Sequence, residues 1–312
     1  MSALPLFYYP TTTLWLDDEP LFLETMLHVF GQQQKILPYQ APQQCLQFLE
    51  TYQEPLQQYN FLQCDKDNEN VDLLSSTPIN FDITAIAGLL NNPARFDEIS
   101  VLVVDYHMPN INGFEFCQQT TAFSFQKLLL TGNTEETKAI EGFNDGLIQR
   151  FVQKSADNMR AKLSQYIAEL SLQYFQRMTS PLLTYLQSNL NLPQSNPEFI
   201  RFFTDYRTEN NLQEFYLLDK QGSYLCINKS GQQSVLLIHT QNSLSAWLEM
   251  YTEDANLNTE QAAAVAAGKQ LPFFGIGQDA WQIDNITWET HFHAGQRLSP
   301  GSDYFYSPIT LS

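Results

Sequence analysis

Four short apolar runs along the first half of the chain each stop at a polar residue. Thr13-Leu14-Trp15-Leu16 stops at Asp17 and Asp18, Val101-Leu102-Val103-Val104 at Asp105, Leu128-Leu129-Leu130 at Thr131, and Phe151-Val152-Gln153 at Lys154. Because apolar residues fill consecutive positions rather than alternate ones, the runs predict strands buried on both faces, as in a parallel sheet. A further strand is expected over 35–39. Between the strands apolar residues recur at helical spacing, with Leu23, Met26, Leu27 and Phe30 over 19–30 and Cys45, Leu46 and Leu49 over 42–52, and helices are also expected over 113–120 and 134–145. Strands alternating with helices predict a doubly wound α/β fold around a five-stranded parallel sheet, in which ligands gather beyond the strand C-termini. The polar residues that end the four runs therefore meet at one edge.

The alternation breaks between Tyr52 and Ser100. A polar stretch over 63–71 precedes an apolar segment over 79–90, whose Ile83, Ile86, Leu89 and Leu90 suit an amphipathic helix ended by Asn91-Asn92-Pro93. The first domain is thus read as residues 1–156 with an insertion at about 53–100, which serves either as a lid or partner-docking element or as a plain long loop. A long helix follows over 157–180, with Leu163, Ile167, Leu170, Tyr174 and Met178 on one stripe, Asp157 as N-cap and Pro181 limiting its continuation. That stripe suits core packing, and it also suits a homodimer paired through the long helix. Residues 181–312 are read as a second, α+β domain, and the chain changes character from Pro197 on: strands over 214–219, 223–227 and 234–239 are joined by Lys220-Gln221-Gly222 and Lys229-Ser230-Gly231, which predicts an antiparallel meander. A helix over 259–267, with Thr259 as N-cap, and an aromatic end bearing Trp281, Trp288, Phe292, Tyr304 and Tyr306 complete it.

Net charge narrows the partners. The 312 residues carry −18, and no Lys/Arg cluster lies in the second half, so direct DNA binding is not expected. No apolar run is long enough to span a bilayer, and no basic segment with an apolar core opens the chain, so the expected location is cytoplasmic. Cys45, Cys64, Cys117 and Cys226 form no CxxC pair, which leaves them as buried thiols.

The edge residues define the chemistry. Three carboxylates in one cleft repel one another unless a divalent cation with oxygen ligands sits among them, and magnesium is the natural occupant. Asp17 and Asp18 would hold the metal, Asp105 would act as nucleophile on a phosphodonor, and Lys154 and Thr131 would donate to phosphoryl oxygens. Each residue alone has a plainer reading, since Asp17-Asp18-Glu19 suits a helix start and Lys154 a solvated surface; the set together points to phosphoryl transfer.

Leu16-Asp17-Asp18-Glu19-Pro20, Asp105-Tyr106-His107-Met108-Pro109-Asn110-Ile111-Asn112-Gly113, Leu130-Thr131-Gly132 and Phe151-Val152-Gln153-Lys154, in this order, resemble the motifs of the receiver domain of two-component response regulators, with its flavodoxin-like fold. The resemblance covers roughly the first half of the chain. It implies phosphorylation of Asp105 and Mg2+ held by Asp17, Asp18, Asp105 and the His107 backbone carbonyl. It also implies phosphate contacts from Thr131 and Lys154, and a switch in which Thr131 and the aromatic Phe151 move on activation. The implied partner is a sensor histidine kinase or a phosphotransfer protein, with self-phosphorylation and self-dephosphorylation as the only expected catalysis. Two positions depart from the pattern: Ser155 stands where proline usually follows the lysine in a cis bond, and Gly132 stands where a small side chain is common; His107 and Asn133 fill the two variable positions that tune dephosphorylation.

In the second domain the stretch over 218–228 is similar, weakly, to the hairpin of PAS-like sensory domains, and the output partner is not named by any motif. His291-Phe292-His293 places two imidazoles on one face of a strand without a third ligand near in sequence. The leading expectation is a response regulator that is phosphorylated on Asp105 and signals to an output domain binding a protein or small ligand. The alternatives are a phosphorylation-independent, receiver-like scaffold, and a metal-dependent enzyme centred on His291, His293 or the Asp219 turn.

Overall fold

The computed structural model describes residues 3–32, 34–59, 61–64, 79–81, 83–132, 136–189, 192–251, 257–276 and 288–311. They fall into two compact units, one of residues 9–60 and 89–181, the other of residues 1–8, 61–88 and 182–312. This is not the linear division expected from the sequence, because the first eight residues and most of the insertion belong with the C-terminal part.

The first unit holds a five-stranded parallel sheet in the order Lys35–Tyr39, Thr12–Leu16, Ile99–Asp105, Gln126–Thr131, Arg150–Gln153. All residues of the Thr12–Leu16, Ile99–Asp105 and Gln126–Thr131 strands are buried, as expected of central strands covered on both faces. Trp15, Val101, Val103, Leu128 and Leu130 face the helices Pro20–Phe30 and Met159–Asn189 through Leu23, Met26, Leu163 and Leu170. Leu14, Leu102, Val104 and Leu129 pack instead with Cys45 and Leu49 of helix Pro42–Thr51 and with Phe116 and Cys117 of helix Gly113–Gln119. The latter helix opens on a capping box in which Asn112 accepts from Glu115 N while the Glu115 carboxylate accepts from Asn112 N.

The long helix runs from Met159 to Asn189 and carries Pro181 inside it, so proline does not end it. Pro181 is exposed, and buried Leu182, Leu183 and Leu186 continue the apolar pattern past it, which outweighs the one backbone hydrogen bond lost.

The second unit is built on a six-stranded antiparallel sheet in the order Phe7–Tyr8, Leu212–Leu217, Tyr224–Asn228, Gln233–Thr240, Tyr304–Thr310, Gln296–Arg297. The second, third and fourth strands of this order are the expected meander. The unexpected member is the first: Phe7 and Tyr8 pair with Tyr216 and Phe215, Leu4 N donates to Gln194 O, and the Tyr224 hydroxyl donates to Pro5 O. Of the insertion, Leu62–Cys64 and Ile79–Phe81 pair with each other and helix Ile83–Leu90 follows, while the 3-10 turn Pro55–Gln58 stays with the parallel unit. Most of the polar stretch over 63–71 lies outside the described residues, as does Trp281. Helix Thr259–Ala266 is capped by Asn258 through a capping box with Gln261, not by Thr259, because the amide acceptor of Asn258 reaches Gln261 N. His291 ends a 3-10 turn and only His293 lies on the strand Phe292–Ala294, so the two imidazoles do not share a strand face.

Candidate functional site

The strand register brings the predicted residues to one edge. Leu16 lies beside Val104, and Asp105 lies beside Leu130, so the acids begin where the Thr12–Leu16 and Ile99–Asp105 strands finish and Thr131 lies one position further. Thr131 pairs with Gln153, and Lys154 N donates to Thr131 O at 2.9 Å. Ligand atoms of Asp17, Asp18 and Asp105 all lie within 4.8 Å of one another; Asp17 and Asp105 are buried and Asp18 is exposed. A cluster of carboxylate oxygens with one member open to solvent suits a hard, oxygen-binding divalent cation such as Mg2+.

Lys154 Nζ reaches both buried acids, 2.7 Å from Asp17 Oδ2 and 3.1 Å from Asp105 Oδ2. The other oxygen of Asp17 accepts from Glu19 N at 3.0 Å, which fixes the carboxylate at the helix start. Burial raises the pKa of Asp17 against the opposing pull of Lys154. Burial likewise pushes Asp105 up to about 6, with Lys154 lowering it and Asp17 raising it. Burial alone would lower the Lys154 pKa, but its two carboxylate partners outweigh that and raise it. The Thr131 hydroxyl is fully buried and makes no hydrogen bond among the described residues, so its proton is available to a ligand.

The loop after Asp105 turns through Asn110, whose φ of 71° lies in the left-handed region that Asn tolerates. It returns at Gly113, whose N–H donates to Tyr106 O; a Cβ there would come within 2.5 Å of the Asp105 carbonyl oxygen, so only glycine fits. His107 is exposed, its ring edge-on to Tyr106 at 5.0 Å. Phe151 is half-buried against the cluster containing Leu129 and Ile148. The Lys154–Ser155 peptide is trans, and Asn133 lies outside the described residues.

One residue of the site was not singled out by the sequence pattern. The Lys154 ammonium lies 4.7 Å from the centroid of the Phe22 ring. Phe22 sits in the first turn of helix Pro20–Phe30, close after the acid pair, and that proximity was the available signal.

In the second unit, His291 lies against Phe274 at 5.2 Å and His293 against Phe273 at 6.0 Å, and no third metal ligand joins them among the described residues.

Across 99% of this chain and 89% of the other, the structure is similar to the response regulator LqsR of Legionella pneumophila, with 26% identity and a TM-score of 0.79. The parallel-sheet unit has the response-regulator receiver fold. Two shorter matches, an adenylate cyclase from Rhodopirellula baltica (18% identity, TM-score 0.37, 56% of this chain and 97% of that one) and a receiver-domain protein from Clostridium thermocellum (14%, 0.33, 54% and 97%), are too distant to bear on function. No protein-family model matches the chain, and no curated protein matches it. The receiver accounts for the Asp17 to Lys154 edge; the antiparallel unit shares its likeness to LqsR without a function following from it. No helix among the described residues is long and apolar enough to cross a membrane.

Proposed function

We propose that the protein is a two-component response regulator in which Asp105 accepts a phosphoryl group from a sensor histidine kinase or phosphotransfer protein. The observation that carries this reading is the cluster of Asp17, Asp18 and Asp105 with Lys154 paired to two of them, at the strand ends of a receiver fold. An Asp105 carboxylate oxygen attacks phosphorus, the P–N bond of the phosphohistidine breaks with its electron pair passing to the imidazole nitrogen, and an acyl phosphate forms. Asp17, Asp18, Asp105 and the His107 carbonyl hold Mg2+, which when bound neutralises charge on the phosphoryl oxygens. Lys154 and the Thr131 hydroxyl then each donate to a phosphoryl oxygen, and the movement of Thr131 draws Phe151 inward.

The altered receiver surface signals through the long helix to the antiparallel unit, which binds a protein or small ligand rather than DNA. The relay operates in the cytoplasm, where its phosphodonor is made. Phosphorylation of the purified chain by acetyl phosphate with Mg2+ should yield an acid-stable, base-labile acyl phosphate that Asp105→Asn abolishes; incorporation surviving that substitution would refute the assignment of the nucleophile.

A further inference from the structure

The Lys154 ammonium has three partners. Asp17 and Asp105 take its charge at 2.7 and 3.1 Å, and the Phe22 ring centroid stands at 4.7 Å. Phe22 is half-buried and packs against the cluster of Trp15, Leu23 and Met26, so the ring belongs to a well-packed helix start rather than to a free surface. Phe22 and Lys154 also line one cavity together, with Glu19, Thr25, Met159 and Arg160.

An ammonium beside an aromatic ring is attracted by the negative face of the ring, and the attraction grows where water is partly excluded. A cation drawn into the acid cluster competes with Lys154 for Asp17, since both need the same carboxylate oxygens. Once Lys154 gives up Asp17, the ring remains as a partner that no metal takes away.

We propose that Phe22 is a positioning residue for Lys154: its ring keeps the ammonium within reach of the group bound at Asp105 while the metal occupies the carboxylates. This rests on the phosphoacceptor reading of Asp105. Phe22 touches neither phosphodonor nor metal, and it acts only through Lys154.

A double-substitution cycle in the full chain tests it, with beryllofluoride as the probe, bound in the presence of Mg2+ and followed by fluorine NMR, and with Mg2+ affinity measured separately by calorimetry. Phe22→Leu should weaken beryllofluoride binding by about 3- to 10-fold, the range of a partly desolvated cation–π contact, and leave Mg2+ affinity within about twofold. Phe22→Tyr and Phe22→Trp should recover most of the loss, because each keeps an aromatic face. In the Lys154→Met background, Phe22→Leu should add nothing. An equal loss in that background would mean that Phe22 acts by packing alone and would overturn the proposal, as would unchanged binding in Phe22→Leu. Wild-type protein that binds no beryllofluoride would fail earlier, removing the phosphoacceptor reading and the role of Phe22 with it.

Discussion

Thr131 illustrates how a single side chain can be out of place in one state and useful in another. A buried hydroxyl without a partner costs roughly 1–3 kcal/mol of desolvation, so Thr131→Val, which keeps the shape and removes the polar atom, should stabilise the metal-free protein by about 1 kcal/mol in urea unfolding. The same substitution should weaken beryllofluoride binding. A loss of stability would mean that the hydroxyl already has a partner. At this scale the sequence was informative: Asp17, Asp18, Asp105, Thr131 and Lys154 were legible because each follows an apolar run, and strand register then puts them side by side. Phe22 was not, because an aromatic residue in an amphipathic helix looks like any other core-facing residue until the lysine from the last strand is set beside it.

At the scale of elements, the far end of the receiver sheet has its own polar device. Glu98, fully buried just before the Ile99–Asp105 strand, accepts hydrogen bonds from Tyr174 of the long helix and from Leu56 N at 2.8 Å. Burial pushes the Glu98 carboxyl up to about 7, with Glu54 adding to the rise and the Tyr174 and Leu56 hydrogen bonds opposing it. Since the folded state then binds this proton more tightly than the unfolded chain, stability is greatest below the ordinary glutamate value of 4.5 and is lost as pH rises towards about 7. Thermal unfolding of the metal-free protein between those limits should show that fall, of order 1–3 kcal/mol from Glu98, and Glu98→Gln should make it shallower, leaving the part that Asp17 and Asp105, whose pKa values burial also raises, contribute with the same sign; a slope unchanged in the variant would place the titrating group elsewhere.

The long helix poses a related question, because the sequence reading stopped it at a proline through which it continues. Pro181→Ala restores the missing donor and should raise the unfolding midpoint, with a gain in unfolding free energy of no more than the roughly 3 kcal/mol that an interior proline costs. A lowered midpoint would show that the helix needs its proline. The flanking leucines were visible in the sequence, but whether burial outweighs a missing N–H is decided by tertiary packing, not by the helical pattern.

For the whole molecule, the two units are not two consecutive lengths of chain. The chain passes from one to the other after residues 8, 60, 88 and 181. The sequence showed the meander and the parallel sheet clearly, since both have strong local patterns. It hid the two-residue strand Phe7–Tyr8, which is too short for any periodicity and has its partners far along the chain. A chain lacking residues 1–8 should keep its response to Mg2+ and beryllofluoride while its antiparallel unit melts earlier, seen as two transitions in calorimetry where the full chain gives a smaller separation. Loss of the receiver response on that deletion would refute the division.

The order of synthesis gives the first strand a further significance. Phe7 and Tyr8 leave the ribosome about 200 residues before Phe215 and Tyr216, which at about 5–20 residues per second is an interval of roughly 10–40 s. During that interval the receiver sheet can assemble, whereas the antiparallel sheet lacks the inner strand on which its edge must close. The aromatic pair Phe7–Tyr8 is therefore made well before the strand it pairs with, and the nascent chain must keep it from other partners until that strand arrives.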